Sequence, residues 1–567
     1  MIKYFKILNN ELKIRSYLII FSFFITTILE ILAIGTTIPL IMGIGDISSE
    51  KIHNLPILNN FSYIFDNSEN SIIILISLIF IFILVKNLIL IILERIKNKF
   101  RRDMVVFLTT DLLDKYLSQD LFFHIKHNST HLIKNIKEDC QFIVNTFIYM
   151  LKIFSDIFIF VFFSLILTLS NLILSLSMIT TLAIFFLIFT YFTFKNLKNW
   201  GKEKFDQSTI MSRFITESIL NFKEVKLYKA KKFFLDRYKK SVNILYNVQN
   251  KFDNAQAYPR LILEVVILMI IVFFMFFLII NDTPKKTILL QISFFFIVGI
   301  RLSPIAVQIY KFFQTLKYTN PTFDKISRDL NMTEKNLNLS KKKITFNEKI
   351  VINNLSFDYD NGKNIIKNLS LIIKKKDFIG IFGKSGIGKT TLLEIILGLL
   401  PPKKGEIKSD KLDIYSNYLS WFNYIGYIPQ NPILLDDTIV NNILFEKRHQ
   451  KFNYINIEKC LKLVNLKFKK NEILSKKIGE NGKKLSEGQK QRLAIARSLY
   501  RNPEILVLDE ITSSLDEKNE KNIIKLLKKL NRTKTILFVS HKKTSLKYCN
   551  KVFEFRSNKL VLKKRIK

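Results

Sequence analysis

The stretch "FIGIFGKSGIGKTTLLEIILGLL" (378–400) places Gly383-x4-Gly388-Lys389-Thr390 between a short apolar run and an amphipathic helical pattern. Glycines at this spacing let backbone N–H groups turn inward around phosphate oxygens, aided by the positive end of the following helix. The loop Gly383, Lys384, Ser385, Gly386, Ile387, Gly388 is the candidate cradle. Lys389 is placed to reach β- and γ-phosphates, Thr390 to ligate Mg²⁺, and Thr391 to sit beside them. About 120 residues later "EILVLDE" ends a β-prone apolar run on Asp509 and Glu510. Asp509 suits the Mg²⁺ shell, and Glu510 suits polarising an attacking water. A ligand bearing β- and γ-phosphates, with Mg²⁺, is what this chemistry requires.

Four further segments stand around that pair. "KLSEGQKQRLAIAR" (484–497) resembles the signature of ATP-binding-cassette (ABC) proteins, "YIPQNP" the Q-loop with Gln430, "SSLD" the D-loop with Asp516, and "FVSH" the switch histidine, His541. "FDY" before the P-loop resembles the adenine-stacking loop, with Tyr359. The resemblance implies that Gln430 joins Thr390 and Asp509 at Mg²⁺, and that Glu510 and His541 are catalytic. It also implies that Ser486, Gly488 and Gln489 close over ATP held by the P-loop of a second subunit. One chain carries one such set, so a homodimer with two equivalent sites is expected. Glu487 departs from the family's Leu-Ser-Gly-Gly-Gln, replacing the first glycine; activity is expected to persist, with closure modestly weakened.

The elements that must carry this site lie in the second half of the chain. The first 310 residues hold apolar runs long enough to cross a bilayer, at about 17–44, 71–93, 149–169, 172–194, 261–280 and 287–310. A positive mean hydropathy of +0.18 beside 24% charged residues requires that the two kinds of residue be segregated. The N-terminal "MIKYFKILNNELKIR" is basic and leads into a run too long for a cleavable leader, so it reads as a retained anchor. Residues 1–16, 95–148 and 195–260 are rich in Lys and Arg. The 45–70 segment instead carries Asp46, Glu50, Asp66 and Glu69 against Lys51. The positive-inside rule therefore puts the basic segments and both termini in the cytoplasm. Residues 17–317 are expected as the membrane domain, 318–347 as a polar linker and 348–567 as the nucleotide domain. The fold class is an α-helical six-span transmembrane domain plus an α/β P-loop NTPase.

The net charge of +40 does not point to nucleic acid, because the lysines are scattered and a cytoplasmic face near anionic lipid accounts for them. Cys140, Cys460 and Cys549 lack metal-ligand spacing and read as packing residues.

Six spans fused ahead of the cassette resemble the exporter type of ABC transporter. The resemblance implies coupling helices at inner-loop tips, near 120–131 and 216–226. Stretches such as "YLSQDLFFHIKHNSTHLIKNI", "ESILNFKEVKLY", "AYPRLILE" and "RLSPIAVQIYKFFQTLKY" are similar to those of bacterial flippases for lipid-linked oligosaccharides. That likeness implies an anionic polyprenyl-pyrophosphate substrate moved outward across the cytoplasmic membrane. Counted at ~1.5 Å per residue, Lys86 and Arg301 lie ~22 and ~21 Å below the outer ends of their spans, with Arg260 at the inner end of another. They are the candidate headgroup contacts. Snorkelling to the inner headgroups and pairing with acids such as Glu264 are the competing accounts. A peptide, or another lipid such as a lipopolysaccharide precursor, is the alternative substrate.

Overall fold

The computed structural model describes residues 2–35, 68–170, 172–280, 284–333, 343–359, 364–445, 452–512 and 516–563. The chain divides into two compact units. One is Met1–Gln119 with His124–Glu334; the other is Asp120–Phe123 with Lys335–Lys567.

The first unit is helical. α1 (Ile2–Lys6) and α2 (Asn10–Gly35) precede α3 (Ser68–Leu117). Two short helices, α4 (Leu121–Lys126) and α5 (Ser129–Lys134), lead through a π-turn at Asn135–Asp139 into α6 (Cys140–Ser170). Then come α7 (Leu172–Leu220), α8 (Phe222–Leu227), α9 (Lys231–Ile280) and α10 (Lys285–Leu330). α3, α7, α9 and α10 contain 46 to 50 residues each. At ~1.5 Å rise per residue they are ~70–75 Å long, over twice a ~30 Å hydrocarbon layer. The expected inner loops are therefore continuous extensions of the spanning helices, and α4 and α8 fall at the expected inner-loop tips. Five helices among the described residues are long and apolar enough to cross a membrane. The sixth expected run lies within α10. Of the first run, residues 36–44 lie outside the described residues.

Stripes at helical spacing build the core of this unit: Leu263, Ile267, Phe274 and Leu278 of α9 pack with Phe163 of α6 and Val298 and Leu302 of α10. The outer faces of α3 and α9 leave Ile73, Phe80, Leu88, Phe273 and Phe276 exposed, as lipid-facing helices must. Where the bundle turns polar, the Tyr116 hydroxyl donates to Asp329 Oδ2 (2.8 Å), and Lys134 pairs with Asp139 (3.0 Å) across the π-turn, all four buried. The expected linker is helical from 318 to 330. Its inward face is Tyr318, Thr322, Phe323, Ile326, Asp329 and Leu330, all buried. Two polar members on that face break the apolar stripe that sequence patterning looks for.

The second unit is an α/β fold with two sheets. β1 (Lys349–Asp358), β2 (Asn364–Lys374), β4 (Lys404–Ser409) and β5 (Leu412–Asp413) form an antiparallel sheet in the order β2-β1-β4-β5. β3 (Phe378–Phe382), β6 (Ile425–Ile428), β7 (Ile505–Asp509), β8 (Thr535–Val539), β9 (Lys551–Arg556) and β10 (Lys559–Lys563) form the other, in the order β10-β9-β3-β8-β7-β6. All its pairs are parallel except β10 with β9. β7 and β8 are buried at every position, because both faces of a parallel sheet are covered. Alternate residues serve opposite layers: Leu506, Leu508, Ile536 and Phe538 on one side, Ile505, Val507, Leu537 and Val539 on the other. The helices used below are α11 (Lys389–Ile396), α12 (Tyr418–Phe422), α13 (Ile439–Leu444), α14 (Tyr454–Leu463), α15 (Lys470–Ser475), α16 (Glu487–Tyr500), α17 (Glu517–Asn531) and α18 (Lys543–Leu546).

Candidate functional site

Strand order decides the site. β3, β8 and β7 are neighbours, so the segments leaving their C-terminal ends meet. These are the Gly383–Lys389 loop, His541 and the Asp509–Glu510 pair, the place where open parallel sheets bind ligands. The loop needs its glycines: Gly386 has φ +74° and Gly388 φ +113°, and a Cβ on Gly388 would stand 2.4 Å from Ile365 Cγ2.

Lys389, 5% exposed, is held from two sides. Its Nζ donates to the carbonyls of Gly383 (3.1 Å) and Lys384 (3.0 Å), which curl the loop around the ammonium. The same atom lies 3.3 Å from His541 Nε2 and 3.5 Å from Glu510 Oε1. His541 Nε2 is 2.6 Å from that carboxylate oxygen. Glu510 takes a left-handed backbone (φ +50°) while its N–H extends the β7–β8 ladder to Val539 O (3.0 Å). A non-glycine residue there costs about 1–3 kcal/mol. The turn aims its carboxylate back across the strand ends.

Asp509 is buried beside it. Burial pushes its carboxyl above the usual range, and a hydrogen bond from Thr390 opposes that. Its Oδ1 is buried without a hydrogen-bond partner. A buried orphan carboxylate oxygen next to a threonine hydroxyl fits a divalent cation, and Thr390 and Asp509 are the residues that would hold Mg²⁺. Glu394 on α11 is also raised by burial and by Asp509, which adds negative charge to the same region.

Tyr359 directly follows β1 and packs edge-on against Phe357 (5.1 Å), its hydroxyl 3.4 Å from Thr391 Oγ1. Phe122 of the Asp120–Phe123 segment, which packs with this unit, lies parallel to it at 6.5 Å. Ser385 is exposed in the loop and Ile387 packs on the core of the antiparallel sheet.

Other expected residues stand apart. Ser486 caps α16 in a capping box with Gln489, and Ser486 and Glu487 are exposed at that helix start with Gly488 half-buried. Glu487, the departure from the family pattern, pairs with Lys490 one turn on (2.8 Å). Gln430, two residues past β6, is exposed, and its carbonyl accepts from Gln491 Nε2 (2.6 Å). Of "SSLD", residues 513–515 lie outside the described residues. Asp516 caps α17 and accepts from Asn519, which holds its carboxyl below the usual range.

Three residues of α16 were not singled out by sequence. Arg492 donates to Asn519, tying the signature helix to the cap at Asp516. Gln491 grips the Gln430 backbone, and Arg497 donates to the carbonyls of Ile433 (3.0 Å) and Asn442 (2.8 Å). All three lie inside the quoted signature, so helical spacing from Gln489 was the available signal.

Two of the candidate headgroup residues stand beside acids. Lys86 Nζ is 3.5 Å from Glu30 Oε2 on α2, both largely covered. Arg260 pairs with Glu264 on its own helix (3.3 Å) and is mostly exposed. Arg301 lies on α10, its side chain outside the described residues.

A bilayer-length helical bundle joined to a P-loop sheet with converging lysine, glutamate and histidine defines a membrane protein with a nucleotide-binding unit. The ABC transporter family matches residues 366–513, and the ABC transporter transmembrane region matches residues 17–301, half of the chain. The chain belongs to the ABC transporters. It is 36% identical over 218 residues to ATP-dependent lipid A-core flippase 2 of Colwellia psychrerythraea, covering 37% of each protein. It is 35% identical over 216 residues to the multidrug resistance-like ATP-binding protein MdlB of Buchnera aphidicola, covering 38% of this chain and 37% of that one. The chain thus matches little more than a third of the length of these relatives. The fold is similar to that of a bacterial Atm1-family ABC exporter with ATP bound, with a TM-score of 0.75 and 18% identity over 97% of this chain and 95% of that one.

Proposed function

We propose that two copies of this chain form an ATP-driven exporter that carries an amphiphile from the inner to the outer leaflet of a bacterial cytoplasmic membrane, with both termini on the cytoplasmic side. The observation that carries this reading is the meeting of Lys389, Glu510 and His541 at three adjacent strand ends, beside the Thr390–Asp509 pair. Lys389 and the loop N–H groups hold the β- and γ-phosphates, and Tyr359 stacks on the adenine. Mg²⁺, when bound, neutralises phosphate charge, with Thr390, Asp509 and Gln430 as its protein neighbours. Glu510 orients and deprotonates the attacking water, and His541 holds that carboxylate and the water in line. Ser486, exposed at the N-cap of α16, and half-buried Gly488 in its first turn close on the γ-phosphate at a partner's Lys389. ATP then favours the closed pair over the open one, and hydrolysis reopens it.

The substrate class is an anionic lipid-linked molecule, most specifically a polyprenyl-pyrophosphate oligosaccharide. The flippase-like stretches and the ionisable residues within the spans support it. Lys86, Arg260 and Arg301 are the headgroup contacts in this reading, with Lys86 and Arg260 each exchanging a neighbouring acid for the substrate anion. The test is ATP-dependent translocation of such a lipid in sealed proteoliposomes, with Glu510→Gln alongside. Movement by the wild type alone supports the assignment. Vigorous ATPase without movement of several glycan types would leave an exporter of peptides or other lipids.

A further inference from the structure

Away from the P-loop, α14 and α17 enclose a groove of about 610 Å³. Lys459 and Lys462 line it from α14, Lys525 and Lys529 from α17. All four are exposed, and Leu526 and Leu463 form a half-buried apolar floor. The groove contains one carboxylate, Glu458, and Lys462 already engages it at 2.8 Å. We propose that this groove binds a small, multiply phosphorylated anion, and that its occupancy is transmitted to Asp516 at the nucleotide-binding surface.

Lysines on helix surfaces are ordinarily solvated, and those near a helix C-terminus complement its dipole. Concavity separates this set from such a face. Ammonium groups carried by both helices that border an open groove raise the local concentration of anions there. The cleft falls within the ~300–1,000 Å³ range of small-ligand sites, whereas macromolecular partners favour flatter and larger surfaces. Phosphate esters supply several oxygens for several ammoniums at once, and the leucine floor accepts the ring that carries them.

The two walls are already wired to the ATP machinery. The carbonyl of Asn465, at the groove edge, accepts from Arg492 Nη1 (3.3 Å). Arg492 also donates to Asn519, which donates to Asp516 at the start of the same helix that carries Lys525 and Lys529. An anion bridging α14 and α17 cancels the repulsion between the walls. It thereby fixes the Arg492–Asn519–Asp516 chain in one arrangement, the kind of two-sided bias that couples sites.

The experiment uses the full chain in nanodiscs of zwitterionic lipid, its ATP sites saturated with ADP and excess Mg²⁺. Inositol hexakisphosphate is titrated calorimetrically into the wild type and into Lys459→Glu/Lys525→Glu. One saturable site per chain is expected, weakened at least ~10-fold in the variant. In a parallel hydrolysis assay the same probe should tighten the apparent ATP affinity of the wild type by about fivefold, the low end for coupled sites, and leave the variant unmoved. Lys459→Gln/Lys525→Gln replaces the charge reversal if the latter no longer holds ADP. Binding that ADP abolishes, or that survives the loss of both lysines, overturns the site. Binding without a shift in ATP affinity overturns the link to Asp516.

Discussion

Two sets of charges in this molecule look alike in sequence and differ in kind. At the P-loop, Lys389, Glu510 and His541 come from positions up to 152 residues apart, and their meeting leaves the Asp509 Oδ1 beside them buried and unpartnered. In the helical unit, Lys86 stands against Glu30 of a neighbouring helix, and Arg260 against Glu264 one turn away on its own. A charge that finds the nearest acid is accounted for by that pairing alone. Charges gathered from distant strand ends at the cost of an orphan oxygen and a strained backbone have been arranged for something else. The contrast separates a built site from a set of neutralised ions.

The sharpest way to break it is Glu510→Gln. If Glu510 orients and deprotonates water, hydrolysis falls by about 10³-fold, within the range for a lost general base, while equilibrium binding of ATP persists. Phosphate release and nucleotide binding measured on one preparation decide it. A drop below tenfold would reduce Glu510 to another ion-pair partner, and the contrast would fail.

Asp509→Asn should move two readouts in opposite directions. Hydrolysis falls on the order of 10²-fold as charge toward Mg²⁺ is lost. The nucleotide-free protein gains stability at neutral pH, because the neutral amide removes a charge that burial disfavours. The pH dependence has a definite sign. Burial raises this carboxyl in the folded state, so its ionisation opposes folding at neutral pH. That penalty disappears as pH falls through the raised folded value toward the ordinary ~3.9 of an unfolded aspartate. The variant should lack this segment of the stability curve, readable by thermal unfolding without nucleotide.

Much of this was legible in the chain. Gly383 to Thr390 and "EILVLDE" announce phosphate chemistry because backbone geometry and metal ligation demand particular residues at fixed spacing. The order β3-β8-β7, which brings His541 between the two, is a matter of long-range pairing that local pattern does not encode. Arg492 and Gln491 escaped notice for a related reason: a polar residue on a helix gains meaning only from the partner it meets, here Asn519 and the Gln430 carbonyl. Residues 318–330 misled because Thr322 and Asp329 share the buried face with Phe323 and Ile326. Glu30 interrupts the first apolar run, and the partner that explains it lies 56 positions away on another helix.

Arg492→Ala gives a smaller effect. Removing the guanidinium frees Asn519 and the α17 cap without touching the P-loop. Hydrolysis should fall about three- to tenfold, consistent with loss of one or two charge-assisted hydrogen bonds worth about 0.7–1.4 kcal/mol between the two states. Because the P-loop is untouched, ADP affinity should hold. A loss of ADP binding would place Arg492 inside the site.

The smallest effect bears on the other half of the comparison. Lys86 and Glu30 are 3.5 Å apart and largely covered, and at that distance the pair is not tightly hydrogen-bonded. A double-mutant cycle of Lys86→Met and Glu30→Gln should return a coupling energy on the order of 1 kcal/mol, toward the low end for residues in contact. Arg260→Ala, with its exposed pair on one helix, should stay within about 0.5 kcal/mol of wild type. Transport then separates the two accounts of Lys86. If Lys86→Met slows translocation and adding Glu30→Gln restores it, the lysine serves to neutralise its neighbour, and the pair belongs with the neutralised ions. If the double variant stays as slow as the single one, Lys86 leaves Glu30 to meet the substrate headgroup. The membrane helices would then hold a built site of their own, one that forms only when substrate supplies the competing anion.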